Sequence, residues 1–185
     1  FPAQFQLVAA MNPCPCGWLG HPSGRCRCSP DRVLAYRGRL SGPLLDRIDL
    51  AIDVPALPPG EIAIGSADPA AEPSSRVRER VTEARARQIE RQGALNARLT
   101  VAELQRHGVP DADARALATR AMARYALSAR AYHRILKVAR TIADLAGVET
   151  VASAHVAEAI SMRRLDAPAE SDPSAAGQFT RAKSR

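Results

Sequence analysis

Lysine is almost missing from this chain. Lys and Arg together number 26 among 185 residues, and only Lys137 and Lys183 are lysines. Neither follows a glycine, so a phosphate loop of the form G-x-x-x-x-G-K-[ST] cannot exist within it. No window approaches the roughly 18 uninterrupted apolar residues that a membrane-spanning helix needs. Residues 1–10 carry no basic segment, so they do not read as a secretory signal, and a cytoplasmic setting with no membrane partner is expected. Short repeats are also lacking and 46% of residues are apolar, which excludes a collagen-like or fully disordered chain. No Ser/His/Asp arrangement, no G-x-G-x-x-G and no paired carboxylates stand out, and His107, His133 and His155 read as packing or surface residues. The first residue is Phe1 rather than Met, so a piece of a longer protein is expected.

What is present is basic. The 26 cationic residues exceed the 19 acids and leave a net charge of +7, which favours polyanionic partners such as nucleic acid or nucleotide. A genome that writes basic residues as arginine accounts for Arg over Lys, but not for where the arginines sit. The length suits one modest globular domain or two small ones.

The chain divides near residue 70. Gln4 to Ala10 reads as a short buried strand closed by Asn12-Pro13. Ser29-Pro30-Asp31 is a helix start, with a hydroxyl cap, proline at the first helical position and an acid in the first turn. Ser41-Gly42-Pro43 opens a second short helix, and Asp49 to Val54 alternates as a strand does. Prolines crowd residues 55–74, a linker. From Ser75 the pattern is helical: an arginine-rich helix to Gln92 ended by Gly93, a capping box at Thr100 and Glu103, a helix from Pro110 to Tyr125, one capped by Ser128, and one from Thr150 to about Arg164. Residues 166–185 read as a disordered tail. In the helix after Ser128, Tyr132, Ile135, Leu136, Ala139, Ile142, Ala143 and Ala146 share one apolar face. Arg130, Arg134, Lys137 and Arg140 lie largely off it, on a face that is either solvated or turned toward an anion.

A few residues could carry chemistry. Asn12, at the end of a buried strand, is either a loop starter or a polar amide where ligands meet an open sheet. Cys14, Cys16, Cys26 and Cys28 are the only cysteines and fall in a C-x-C-x9-C-x-C pattern. Four thiolates satisfy tetrahedral zinc; free thiols, or a mixed site using His21, are the alternatives. Arg47, in Asp-Arg-Ile-Asp, is either part of a surface ion-pair cluster or an arginine aimed at a neighbour's phosphate. Arg130, just after the Ser128 cap, is either solvated or a second phosphate contact.

Three segments, Val8 to Gly17 (with Asn-Pro-Cys-Pro-Cys-Gly), Leu40 to Leu50 and Leu127 to Leu145, together resemble the ComM/YifB proteins, bacterial AAA+ ATPases of the magnesium-chelatase-like group. The likeness covers residues 1–165. It implies an α/β remnant of an AAA+ core over 1–54, the linker 55–74, and an all-α helical lid, the magnesium-chelatase C-terminal domain, over 75–165. By position, it makes Asn12 the sensor 1 residue, Arg47 the arginine finger that reaches the neighbouring subunit's nucleotide, and Arg130 the sensor 2 arginine, with Arg134 its rival. The Walker A lysine, Walker B acids and N-terminal domain of the family are absent, so ATP and Mg²⁺ would be bound only by a full-length protein, a homo-hexameric motor acting on DNA in branch migration. This chain alone would not catalyse. Two other readings stand beside that one: a nucleic-acid-binding module using the helix between Arg76 and Arg98, and a chelatase-type subunit.

Overall fold

A computed structural model describes residues 5–56 and 72–163. Most of the linker and the whole of the tail expected from the sequence lie outside the described residues. The described residues fall into two compact units, 5–48 with 53–56, and 49–52 with 72–163.

The first unit is built on turns and two short helices. Helix α1, Pro30–Arg37, starts where the sequence places it: the Ser29 hydroxyl accepts from the Arg32 N–H at 3.4 Å, proline occupies the first turn, and Asp31 faces the positive end of the helix dipole. Helix α2, Gly42–Leu45, is capped in the same way by Ser41, which accepts from the Leu44 N–H at 3.3 Å.

The second unit is helical. Helix α3, Ser74–Gln92, ends at Gly93, whose left-handed φ of 69° suits glycine. A single 3₁₀ turn at Asn96–Arg98 leads to α4, Val101–His107, which carries the expected capping box between Thr100 and Glu103. Helix α5, Ala112–Arg124, is capped by Asp111; α6, Ala129–Leu145, by Ser128. Helix α7, Ser153–Ser161, begins later than the Thr150 start expected, because the His155 imidazole accepts from the Ala152 N–H and sets the first turn there. The core gathers Ala114 and Ala118 of α5, Ile135, Ala139 and Ala143 of α6, and Val151, Val156 and Ala159. So many alanines let α5, α6 and α7 approach closely, and a satellite of Leu99, Leu104 and Leu136 seats α4 on α6.

Two expectations are corrected. No strand forms among the described residues, so the α/β remnant is not shown, while the all-α character expected of the second unit is. Residues 5–10 and 49–54 carry no regular structure, and Phe5, Val8, Ile52 and Val54 are exposed at 78%, 84%, 71% and 87%. Strands exist by pairing, and these apolar runs have no neighbouring strand to pair with among the described residues. Arg140, placed off the apolar face of α6, is buried at 2% exposure and belongs to the interior.

The interior that holds Arg140 is a polar network centred on the buried Asp144. Arg91 of α3 grips the Asp144 carboxylate with two N–H groups at 2.6 and 3.0 Å. Arg140 adds an Nε hydrogen bond at 3.2 Å and Asn96 an amide hydrogen bond at 2.7 Å. The other end of Arg140 donates to the carbonyls of Val148 and Glu149, which closes the loop after α6. Asn96 is held in turn by Gln88, Gln92, Arg91 and Thr141. Every member is therefore partnered, the condition for ionic groups to be buried without a large penalty.

Candidate functional site

The four cysteines converge, as their spacing predicts. A turn from Cys14 to Gly17, closed by the Gly17 N–H on the Cys14 carbonyl at 3.0 Å, folds the first pair inward. Its last residue needs a φ of +80°, open to glycine without strain. The second pair arrives just before the Ser29 cap of α1. All four Sγ atoms lie within 4.8 Å of one another, with 3.3 Å between Cys14 and Cys16, 3.8 Å between Cys14 and Cys26, and 3.7 Å between Cys16 and Cys26. Sulfurs about 2.3 Å from a central zinc define a tetrahedron with edges of about 3.8 Å, so the donor set fits that ion. His21 is not one of the set: its Nδ1 is bonded to the Ser23 hydroxyl and N–H at 2.7 and 3.1 Å, and its ring packs edge-on against Trp18.

The thiols divide in protonation. Burial pushes the Cys14 thiol up, but hydrogen bonds from Cys16 and from the Leu19 N–H outweigh it and draw it down to about 6. The Cys28 N–H pulls the Cys26 thiol down, yet burial and the neighbouring Cys16 and Cys14 sulfurs carry it up to about 11. Cys16 is lowered and Cys28 raised. Crowded sulfurs that cannot all ionise together are what a divalent cation relieves.

Asn12 lies two residues before Cys14, exposed, with no hydrogen bond to its carboxamide among the described residues. Arg47 is exposed too, just beyond α2, and its Nη1 donates to the Pro43 carbonyl of that helix at 2.7 Å.

In the second unit the two rival arginines differ. Arg134 bonds to Asp49 at 2.5 Å. Arg130, one turn earlier in α6, is exposed and has no polar partner among the described residues. Both line a cleft of about 400 Å³ with Lys137 and His133 over Leu99, Val101 and Leu104. Burial, aided by Arg134, lowers the Lys137 amine. Three cationic residues, Arg130, Arg134 and Lys137, make this a basic concavity of the helical unit, and only Arg130 among its arginines has no polar partner among the described residues.

The arginine-rich segment is less available than its composition indicates. Of its seven arginines, Arg76, Arg80, Arg87 and Arg91 are tied to Glu79, Glu72, Glu83 and Asp144. Arg78, Arg85 and Arg98 remain exposed without polar partners among the described residues. Those pairings, and the Asp144 network, were missed in the sequence. The Arg140 and Asp144 spacing of four on one helix was the available signal.

Comparison with known proteins converges on one group. The family model for the magnesium chelatase subunit ChlI matches residues 1–62, and that for its C-terminal domain matches residues 71–163. The competence protein ComM of Haemophilus influenzae is 48% identical over 167 residues, covering 89% of this chain and 32% of that protein. YifB of Salmonella typhimurium is 43% identical, covering 90% of this chain and 32% of its own length. Rv2897c of Mycobacterium tuberculosis is 39% identical over 171 residues, covering 90% and 33%. The chain therefore spans about a third of the length of the curated relatives it matches.

Proposed function

Because the chain belongs to the ComM/YifB branch of the magnesium chelatase ChlI family, we propose that it is the sensing and finger portion of an ATPase subunit. Its phosphate loop and magnesium-binding acids lie outside this chain. Asn12 stands beside the γ-phosphate as sensor 1, Arg130 contacts the same nucleotide from the helical lid, and Arg47 reaches the nucleotide of the adjacent subunit in a homo-hexamer. Phosphoryl transfer in such sites is mostly positioning and charge stabilisation. Loss of the γ-phosphate contacts lets the lid shift and moves DNA in a cytoplasmic branch-migration motor. The observation that carries the reading is the uncommitted Arg130 on the basic cleft, beside an Arg134 already held by Asp49. Phosphate release by the full-length protein tests it: Arg130→Ala cuts ATP turnover about 10-fold or more, and Arg134→Ala cuts it less. An Arg130→Ala protein at normal turnover overturns the sensor 2 assignment.

The cysteines hold a structural zinc in this reading, a local staple rather than part of the chemistry. Protein purified without added metal is expected to carry about one zinc per subunit. Less than about a tenth of an equivalent by elemental analysis contradicts it.

DNA is the macromolecular partner, and the uncommitted Arg78, Arg85 and Arg98 are its contact on the helical unit. Three phosphate contacts predict a slope of about −3 for log affinity against log salt with duplex DNA, falling by about one in Arg85→Ala. A slope unchanged by Arg85→Ala removes this surface from the account.

A further inference from the structure

We propose that the four-cysteine loop and Arg37 form a clamp that positions Asn12. The proposal rests on the reading of Asn12 as the residue beside the nucleotide. An exposed carboxamide that makes no hydrogen bond among the described residues is oriented only by its main chain and by packing. Both are constrained here from two sides.

One side is the loop itself. Asn12 is followed by Pro13, which restricts the Asn12 backbone, and then by the buried Cys14. The Cys14–Gly17 turn returns the chain so that a Cβ on Gly17 would sit 3.7 Å from both Cγ and Nδ2 of Asn12. A bare glycine backbone is thus the surface on which the carboxamide rests. The sulfur cluster fixes that turn, because Cys14 and Cys16 lie within it and Cys26 and Cys28 grip it from the far end of the loop.

The other side is α1. This helix begins directly after Cys28, so its N-terminal end is tied to the sulfur cluster through the Ser29 cap. In its last turn Arg37 reaches back, and its Nε donates to the Pro13 carbonyl at 3.1 Å, across 24 residues of sequence. Eight helical residues, about 12 Å of rigid strut, are therefore fastened at both ends to the segment that carries Asn12. The turn hydrogen bonds at Gly17, His21 and Gly24 are individually weak on an exposed loop. Metal–sulfur bonds and the Arg37 contact are what hold the geometry to the tolerance that orientation demands.

The experiment uses the full-length protein with zinc bound, after chelation under reducing conditions, and as the Arg37→Ala and Arg37→Lys variants. Two quantities are read: hydrogen exchange of the amides of residues 8–14, and kcat and KM for ATP. Chelation and Arg37→Ala each speed exchange in 8–14 by about 10-fold or more, with amides of α6 unchanged as the folding control. Each lowers kcat by about 10-fold to 100-fold, with KM within about twofold, and Arg37→Lys recovers part of the loss. In an Asn12→Ala background neither treatment lowers kcat further, because both act through Asn12.

Exchange in 8–14 that ignores both treatments overturns the clamp, as does a full additional loss of kcat in the Asn12→Ala background. Normal turnover by Asn12→Ala alone instead overturns the reading of Asn12 beside the nucleotide; the exchange data then still decide whether the clamp exists.

Discussion

Arg47→Ala in the full-length protein abolishes ATP turnover by about 10³-fold or more while ATP still binds. The expectation follows from what a guanidinium does in phosphoryl transfer. Charge spreads over the equatorial oxygens of the transferring phosphoryl group, and a planar cation supplied from the next subunit stabilises it at about 10³ to 10⁵ in rate. The ground state gains little from that contact, so affinity for ATP changes little. Arg47 is suited to the task by its exposure, in the turn directly after the short, proline-started α2. Its Nη1 donates to the Pro43 carbonyl, which restrains the side chain near the surface. Nucleotide binding by fluorescence titration and turnover by phosphate release check the two halves separately. Turnover within about threefold of the parent removes the finger role. Arg47→Lys is not a conservative control, because a point charge lacks the planar fork.

The second large effect is on stability. Asp144→Ala is expected to destabilise the helical unit by about 3–5 kcal/mol, a large share of the 5–15 kcal/mol typical of a whole domain. The change leaves Arg140 buried without its counter-charge and strips Arg91 and Asn96 of their shared acceptor. It also removes the Arg91 ion pair between α3 and α6, leaving the Arg87 hydrogen bond to the residue 144 carbonyl as a link between those helices. Arg134→Ala, an exposed pair with Asp49, costs less than about 1 kcal/mol by comparison. Urea unfolding of the two variants beside the parent measures the difference. Equal midpoints contradict the network's role.

The same carboxyl gives a pH signature. Burial pushes the Asp144 acid up, but hydrogen bonds from Arg91 and Asn96 outweigh it and hold it below the usual carboxylate range. A folded pKa below the unfolded value means the contribution is complete above pH 3.8 or so and disappears as acid brings the pH down through the folded value. Melting temperature should therefore be flat from pH 6 to 8 with respect to this group and fall in acid below about pH 4. Asp144→Asn loses that acid-dependent component.

How much was legible in the sequence depended on how local the cause was. Caps at Ser29, Ser41, Thr100 and Ser128 and the stop at Gly93 are set by residues within one turn, and they appear where expected. The cysteine cluster was readable because glycines between the pairs allow the loop to close. The strands were not, because alternation names a face and not a partner, and no partner strand lies beside residues 5–10 or 49–54 among the described residues. Arg140 was placed off the apolar face, with water and an anion both open as its surroundings; it is buried, and its partners are an acid one turn on and carbonyls in the next loop. The Arg37 contact with Pro13 spans 24 residues and leaves no periodic trace. Arg130 and Arg134 were indistinguishable by letter, and only the position of Asp49 separates them.

The claim at the centre, that Asn12 serves its own subunit while Arg47 serves the next, is tested most directly by mixing. Asn12→Ala and Arg47→Ala proteins, each of strongly reduced turnover, are prepared separately and then combined in equal amounts under conditions of subunit exchange. In a random ring, about a quarter of the interfaces pair an intact Asn12 with an intact Arg47 from the neighbour, so about a quarter of the parent's ATP turnover returns. If both residues act on the nucleotide of one subunit, no mixed interface is whole and the mixture stays as inactive as its parts.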